Sequence, residues 1–120
     1  MLPDFRFEIV DGHLCRIDEA TGEVSGRVAP IGTSIVQVLP VGSNLVVRED
    51  YYNFPPGRSN VYCLNSDFDL VWSAELPHQK DAYANPILES GRWLYCASWD
   101  CMNCTLDPET GRIVKSIFTK

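Results

Sequence analysis

No stretch of the 120 residues approaches the roughly 18 consecutive apolar residues that a membrane-spanning helix needs. There is no basic run either. Ten Lys and Arg face sixteen Asp and Glu, for a net charge of -6. An acidic chain of this kind is a poor fit to nucleic acid or to an anionic membrane surface, so neither is an expected partner. The N-terminus MLPDFRFEIVDGH has neither a basic segment nor an apolar core, so a secretory signal is not expected. Helical periodicity is missing throughout, while Gly and Pro interrupt the chain about every ten residues. Histidine is scarce: His13 and His78 are the only two. Neither sits in a Ser-His-Asp or Cys-His pattern, and no Gly-rich phosphate loop is present, so no catalytic residue is assigned. Cysteine is present five times but never as an adjacent pair. An odd count without a signal segment favours reduced thiols and a cytoplasmic location.

What is abundant is repetition. "GHLCRIDEATGEV" near the start and "CMNCTLDPETGRIV" near the end align on Asp-x-x-Thr-Gly, pairing Asp18 with Asp107, Thr21 with Thr110 and Gly22 with Gly111. A degenerate middle copy, "NVYCLNSDFDLVW", puts Asn65 at the Asp position, Tyr62 opposite Cys15 and Cys104, and Asp69 at the glycine position. Each copy is a hairpin signal. The Asp or Asn side chain caps the turn, and glycine supplies the positive φ that the turn requires. Upstream lie further strands: "TSIVQVLP" and "LVVRED" before the middle copy, "AYANPILE" and "RWLYCASW" before the last, and only "FRFEIV" before the first. Eleven strands result, divided three, four and four. The repeats span about residues 1–32, 33–76 and 77–120. A period in the forties with four strands per unit is the pattern of β-propeller blades. The strands are also apolar on both faces, as a blade between two neighbours must be. In "SIVQVL", Ile35 and Leu39 are expected on one face and Val36 and Val38 on the other.

The phrase Asp-Gly-x-Leu-x-x-Ile-Asp-x-x-Thr-Gly at Asp11 to Gly22 resembles the repeat of pyrroloquinoline-quinone-type propellers. "VYCLNSDFDLVW" keeps the tyrosine (Tyr62) and tryptophan (Trp72) of that pattern, and "WDCMNCTLDPETG" keeps Asp100, Leu106, Asp107, Thr110 and Gly111. The resemblance covers nearly the whole chain as three units and implies an all-β fold of three propeller-type blades. Quinone dehydrogenases of that family use calcium and a disulfide between adjacent cysteines. This chain lacks the cysteine pair, so architecture alone carries over and no cofactor is expected.

Cys101-Met-Asn-Cys104 has a C-x-x-C spacing, with three readings: packing thiols, a metal site, or a redox pair. No helix follows to lower a thiol pKa, and a structural metal would need two more ligands. Packing thiols without a metal are expected. The longest irregular segment, Glu49 to Asn60, holds two tyrosines, a phenylalanine, two prolines and an arginine. It can pack over the blade or serve as a contact surface.

Alternating strand direction places this segment at one end of the sheets with the links between blades. Tyr51, Tyr52, Arg58, His78, Lys80, Tyr83 and Trp99 gather there as candidate binding residues. The short turns at Asp18, Gly42, Asn65, Gly91 and Asp107 gather at the other. Three blades do not close a ring, so the apolar outer faces of the end blades are expected to drive self-association, two copies completing six blades. The expected function is a non-catalytic interaction module that associates with itself, with another protein as a further candidate partner through the long loops. The alternative is a small-ligand or enzymatic site in the channel or loop face of the oligomer.

Overall fold

The computed structural model describes residues 4–119, which form eleven strands in three antiparallel sheets. Residues 1–3 and 120, at the outer bounds of the first and third repeats, lie outside the described residues. The first sheet contains β1 (Phe5–Val10), β2 (His13–Asp18) and β3 (Val24–Val28) in that order. The second contains β4 (Ile35–Val41), β5 (Asn44–Glu49), β6 (Val61–Leu64) and β7 (Leu70–Ser73). The third contains β8 (Leu88–Ser90), β9 (Trp93–Ala97), β10 (Met102–Leu106) and β11 (Ile113–Phe118). Every pairing joins strands consecutive in sequence.

The repeat is visible in atomic detail. Each last hairpin carries a bulge at the same place: Ser25, Val71 and Val114 are the extra residues, after which Ile17 faces Val24, Leu64 faces Leu70 and Leu106 faces Ile113. Cys15, Tyr62 and Cys104 occupy equivalent buried positions, as the alignment requires. Gly22 and Gly111 have φ of 74° and 73°. Their amides donate to Asp18 and Asp107 carbonyls at 2.7 and 2.8 Å. The middle turn differs from expectation. Phe68, not Asp69, adopts the positive φ, at 67°. This turn is one residue shorter, because Asn65 pairs with Asp69 where Asp18 pairs with Glu23. The left-handed position therefore falls one residue earlier, and the Phe68 ring is recovered by packing beside Phe7 and Arg16.

The second sheet is sandwiched. On one side Leu45, Val47, Tyr62 and Leu64 join Leu14 of the first sheet; on the other Val46, Val61, Cys63 and Trp72 join Leu94, Cys96, Cys104 and Leu106 of the third. All four residues of β6 are consequently buried. The facing of β4 departs from simple alternation. Ile35 and Val38 pack towards the first sheet while Leu39 packs towards the third. A bulge at Val36, between Ile35 and Gln37, shifts the register by one and reverses the faces beyond it. In the third repeat "AYANPILE" makes only the three-residue β8 and one bridge between Tyr83 and Ser98. Pro86 lacks the amide that a continuous strand would use.

Side chains stitch neighbouring sheets at each level. Arg16 Nη1 donates to the Ser66 carbonyl at 2.6 Å, and Trp72 Nε1 to the Pro108 carbonyl at 3.0 Å. The Gln37 amide pairs with both the carbonyl and the amide of Ile87, at 2.9 and 2.8 Å, as a strand neighbour would. Asn60 does the same with Tyr83.

The two outer faces are not alike. On the third sheet Leu88, Tyr95 and Ile117 are 65%, 39% and 49% exposed. The outward face of the first sheet, opposite the Leu14 side, carries Val10, Cys15, Ile17 and Val24 flanked by Arg6, Glu8 and Arg27. The first end face is thus mixed, apolar residues flanked by charged ones, where the expectation is an apolar face. Alternation on β1 places charged residues outward and Phe5, Phe7 and Ile9 inward.

Candidate functional site

The end of the sheets where the long segments meet is organised around a glutamate. Glu49, at the close of β5, has no solvent exposure. Its carboxylate accepts the amides of Ile31, Gly32 and Thr33 at 2.7, 3.0 and 2.9 Å, and the Tyr62 hydroxyl at 2.5 Å. The first two sheets are linked through 29–34, and this carboxylate satisfies the amides that the turn of that link leaves free. Burial pushes the Tyr62 hydroxyl far above its usual range, and the charge beside it adds to the shift. Tyr62 therefore stays protonated and donates.

Five of the seven candidate side chains come together above this support, with His78 beside them. Tyr51 stacks on Trp99 with ring centroids 5.4 Å apart. Tyr52, 70% exposed, forms the tip of the loop. With Phe54, Arg58, Lys80 and Trp99 these rings border a groove of about 420 Å³. Arg58 and Lys80 are exposed and form no ion pair among the described residues. His78 lies in the adjoining loop, its Nε2 against the Asp100 carboxylate and 3.8 Å from Asp81. Tyr83 is a correction. It is fully buried, with its hydroxyl donating to the Glu75 carbonyl at 2.5 Å, because it opens the third repeat in the position that Ile35 holds in the second. Its ring is a core ring and does not reach the surface.

The loop is part packing and part surface. Phe54 and Pro55 lie over Gly32 so closely that a Cβ there would come within 2.7 Å of the Phe54 ring. Tyr52 and Arg58 project instead. Alanine at either should change stability by no more than about 0.5 kcal/mol, as for other free surface positions. Thermal melting checks this, and a larger loss would assign these two to packing as well.

Glu49, Asp81 and Asp100 escaped the sequence reading. A glutamate closing a strand looks like any solvated end residue, and its amide partners lie 16 to 18 residues upstream. Among the strongly shifted groups, Tyr62, Tyr83 and Cys96 belong to the core, not to the groove. Burial raises all three, the Cys96 thiol to about 12. Of the five free cysteines only Cys101 is exposed. A disulfide reagent should therefore titrate one thiol rapidly in the native protein and five after denaturation. More than one rapid thiol would contradict the packing of the other four.

No family model matches the chain, and no curated protein is similar to it in sequence. In structure it is similar to the computationally designed Ika4 protein, at TM-score 0.74 and 15% identity over 100% of this chain and 70% of that one. It is also similar to the designed Ika8 protein, at TM-score 0.69 and 15% identity over 97% and 33%. BamB from Moraxella catarrhalis matches at TM-score 0.65 and 20% identity over 94% and 33%. The chain thus spans about a third of the length of Ika8 and of BamB. At these identities the likeness concerns fold alone, and it is to propellers, BamB being of the pyrroloquinoline-quinone-like type. The chain is an all-β protein of three propeller-type antiparallel sheets.

Proposed function

We propose that this chain is a non-catalytic, intracellular interaction module that pairs with a second copy of itself and offers the long-loop end to a further protein. The observation that carries the reading is the uncovered third sheet. Leu88, Tyr95 and Ile117 share one face of it with Ala97, where a propeller blade would meet its neighbour. Exposed apolar patches of this kind mark interfaces. Closed propellers contain about four to eight blades, so two copies of three suffice for a ring. In such a ring the third sheet of one copy packs on the first sheet of the other, where Val10 and the aliphatic stems of Arg6 and Arg27 are available. The five free thiols support an intracellular setting.

The loop end supplies the second surface. Stacked Tyr51 and Trp99 and exposed Tyr52 and Arg58 are the residue types that dominate protein interfaces.

Size determination of the Leu88→Asp and Arg27→Glu variants tests the pairing. Both should shift the protein from two chains to one, since ring closure brings their sheets together. Neither should lower the melting temperature of the single chain appreciably, because both side chains are exposed. If Leu88→Asp alone dissociates the protein, two third sheets face each other and the ring is wrong. If neither variant does so, the third sheet is not the interface.

A further inference from the structure

We infer that His78, Asp81 and Asp100 form a site for one divalent transition-metal ion, bound through the imidazole Nε2 and one oxygen of each carboxylate. The expectation of no metal rests on the Cys101/Cys104 pair, which is not among these three residues. Here the residues arrive from two loops: His78 and Asp81 from the link between the second and third sheets, Asp100 from the turn between β9 and β10.

The three ligand atoms lie within 4.8 Å of one another. Nε2 of His78 is 3.8 Å from Asp81 Oδ2 and in direct contact with Asp100 Oδ2. Bonds of about 2.0–2.2 Å to a tetrahedral zinc place ligand atoms about 3.4 Å apart. The required adjustments are small, and the two side chains that must move are the half-exposed ones, His78 at 49% and Asp100 at 48%.

The second observation is Asp81 itself. Its side chain has no exposure, yet Oδ2 has no hydrogen-bond partner among the described residues. Oδ1 accepts the Ala82 and Asp100 amides at 2.8 and 3.2 Å. These two bonds pin the carboxylate and hold Oδ2 towards the imidazole. A buried carboxylate oxygen without a donor is costly, and a cation is what such an oxygen accommodates.

The donor set selects the cation. One imidazole nitrogen with two carboxylate oxygens suits zinc and its neighbours, whereas calcium and magnesium prefer oxygen throughout. Coordination through Nε2 puts the ring proton on Nδ1. The Lys80 amide, now 3.2 Å from Nδ1, then turns to water, which its exposed loop allows. His78 and Asp100 are half-exposed, so a coordination position left open is accessible to water or to a carboxylate or imidazole of a partner.

Calorimetric titration of the whole chain with zinc chloride, in a buffer that does not chelate, tests the site. One equivalent should bind. Asp81→Asn and His78→Ala should each weaken binding by at least about tenfold, the lower end of what perturbing a metal site costs. Asp81→Asn keeps an oxygen for the two amides, and His78→Ala removes an exposed side chain, so both variants should fold. Cys101→Ser controls for the exposed thiol and should bind as the parent does. Magnesium should give no heat at matching concentration. Absence of zinc binding, binding unchanged in both ligand variants, or binding lost in Cys101→Ser would each overturn the site.

Discussion

Replacing Glu49 by alanine should cost about 3–5 kcal/mol, since four hydrogen bonds to a charged group, each contributing about 1.5–3 kcal/mol, are lost together and water restores only the exposed ones. Three amides of the 31–33 turn and the Tyr62 hydroxyl lose their acceptor together. The Tyr62 hydroxyl is buried with the carboxylate and has no water to turn to, whereas Ile31 and Gly32 lie at the surface, where water replaces part of what their amides lose. Domains of this size are stable by only about 5–15 kcal/mol, so the variant should be mostly unfolded in mild urea. Tyr62→Phe removes a single bond to the same carboxylate and should cost about 1.5–3 kcal/mol, the range for a hydrogen bond to a charged group. Urea denaturation measures both. A loss below about 1 kcal/mol for Glu49→Ala, no more than one neutral hydrogen bond contributes, would mean that apolar packing alone holds the first two sheets together.

A second large effect is expected where the turns of the repeat meet the core. Gly22 and Gly111 have almost the same φ and the same hydrogen bond to the turn aspartate. A Cβ at Gly22 would meet nothing within 4 Å, whereas at Gly111 it would lie 2.4 Å from the Trp72 ring. Alanine at Gly22 should therefore cost only the left-handed strain, about 1–2 kcal/mol. Alanine at Gly111 adds the displacement of a packed indole, about 1–3 kcal/mol more. Trp72 also sits over this turn through its hydrogen bond to Pro108, so moving the ring loosens the contact between the second and third sheets. Equal losses at the two glycines would show that Trp72 yields freely and that this contact is soft.

The turns were legible because their chemistry is local. Asp18 and Asp107 cap amides two residues ahead, and a glycine follows at a fixed distance. Asn65 uses its side chain in the same way on Asp67 and Asp69. The left-handed residue between them was misplaced because alignment by spacing does not reveal a loop one residue shorter. Strand number was legible from the spacing of turns and strands. The faces of β4 were not, since a bulge at Val36 leaves no mark on composition and yet reverses every position after it.

The loop end followed from strand direction, which is why Tyr51, Tyr52, Arg58 and Trp99 were found together. Tyr83 falls with them in sequence through its position in a link. Its burial depends on the Asn60 amide, which grips its backbone from another sheet. Glu49 and Asp81 were invisible for the same physical reason. Both act on backbone amides, which every residue except proline offers, so no residue type in the sequence announces the partner.

The measurement that bears most directly on the central claim is the mass of the purified chain by light scattering at micromolar concentration. Three sheets with an open apolar flank should scatter as two chains, and Leu88→Asp should scatter as one. A parent protein that scatters as a single chain across the micromolar range would contradict the account, leaving the third sheet a tolerated exposed face and not an interface.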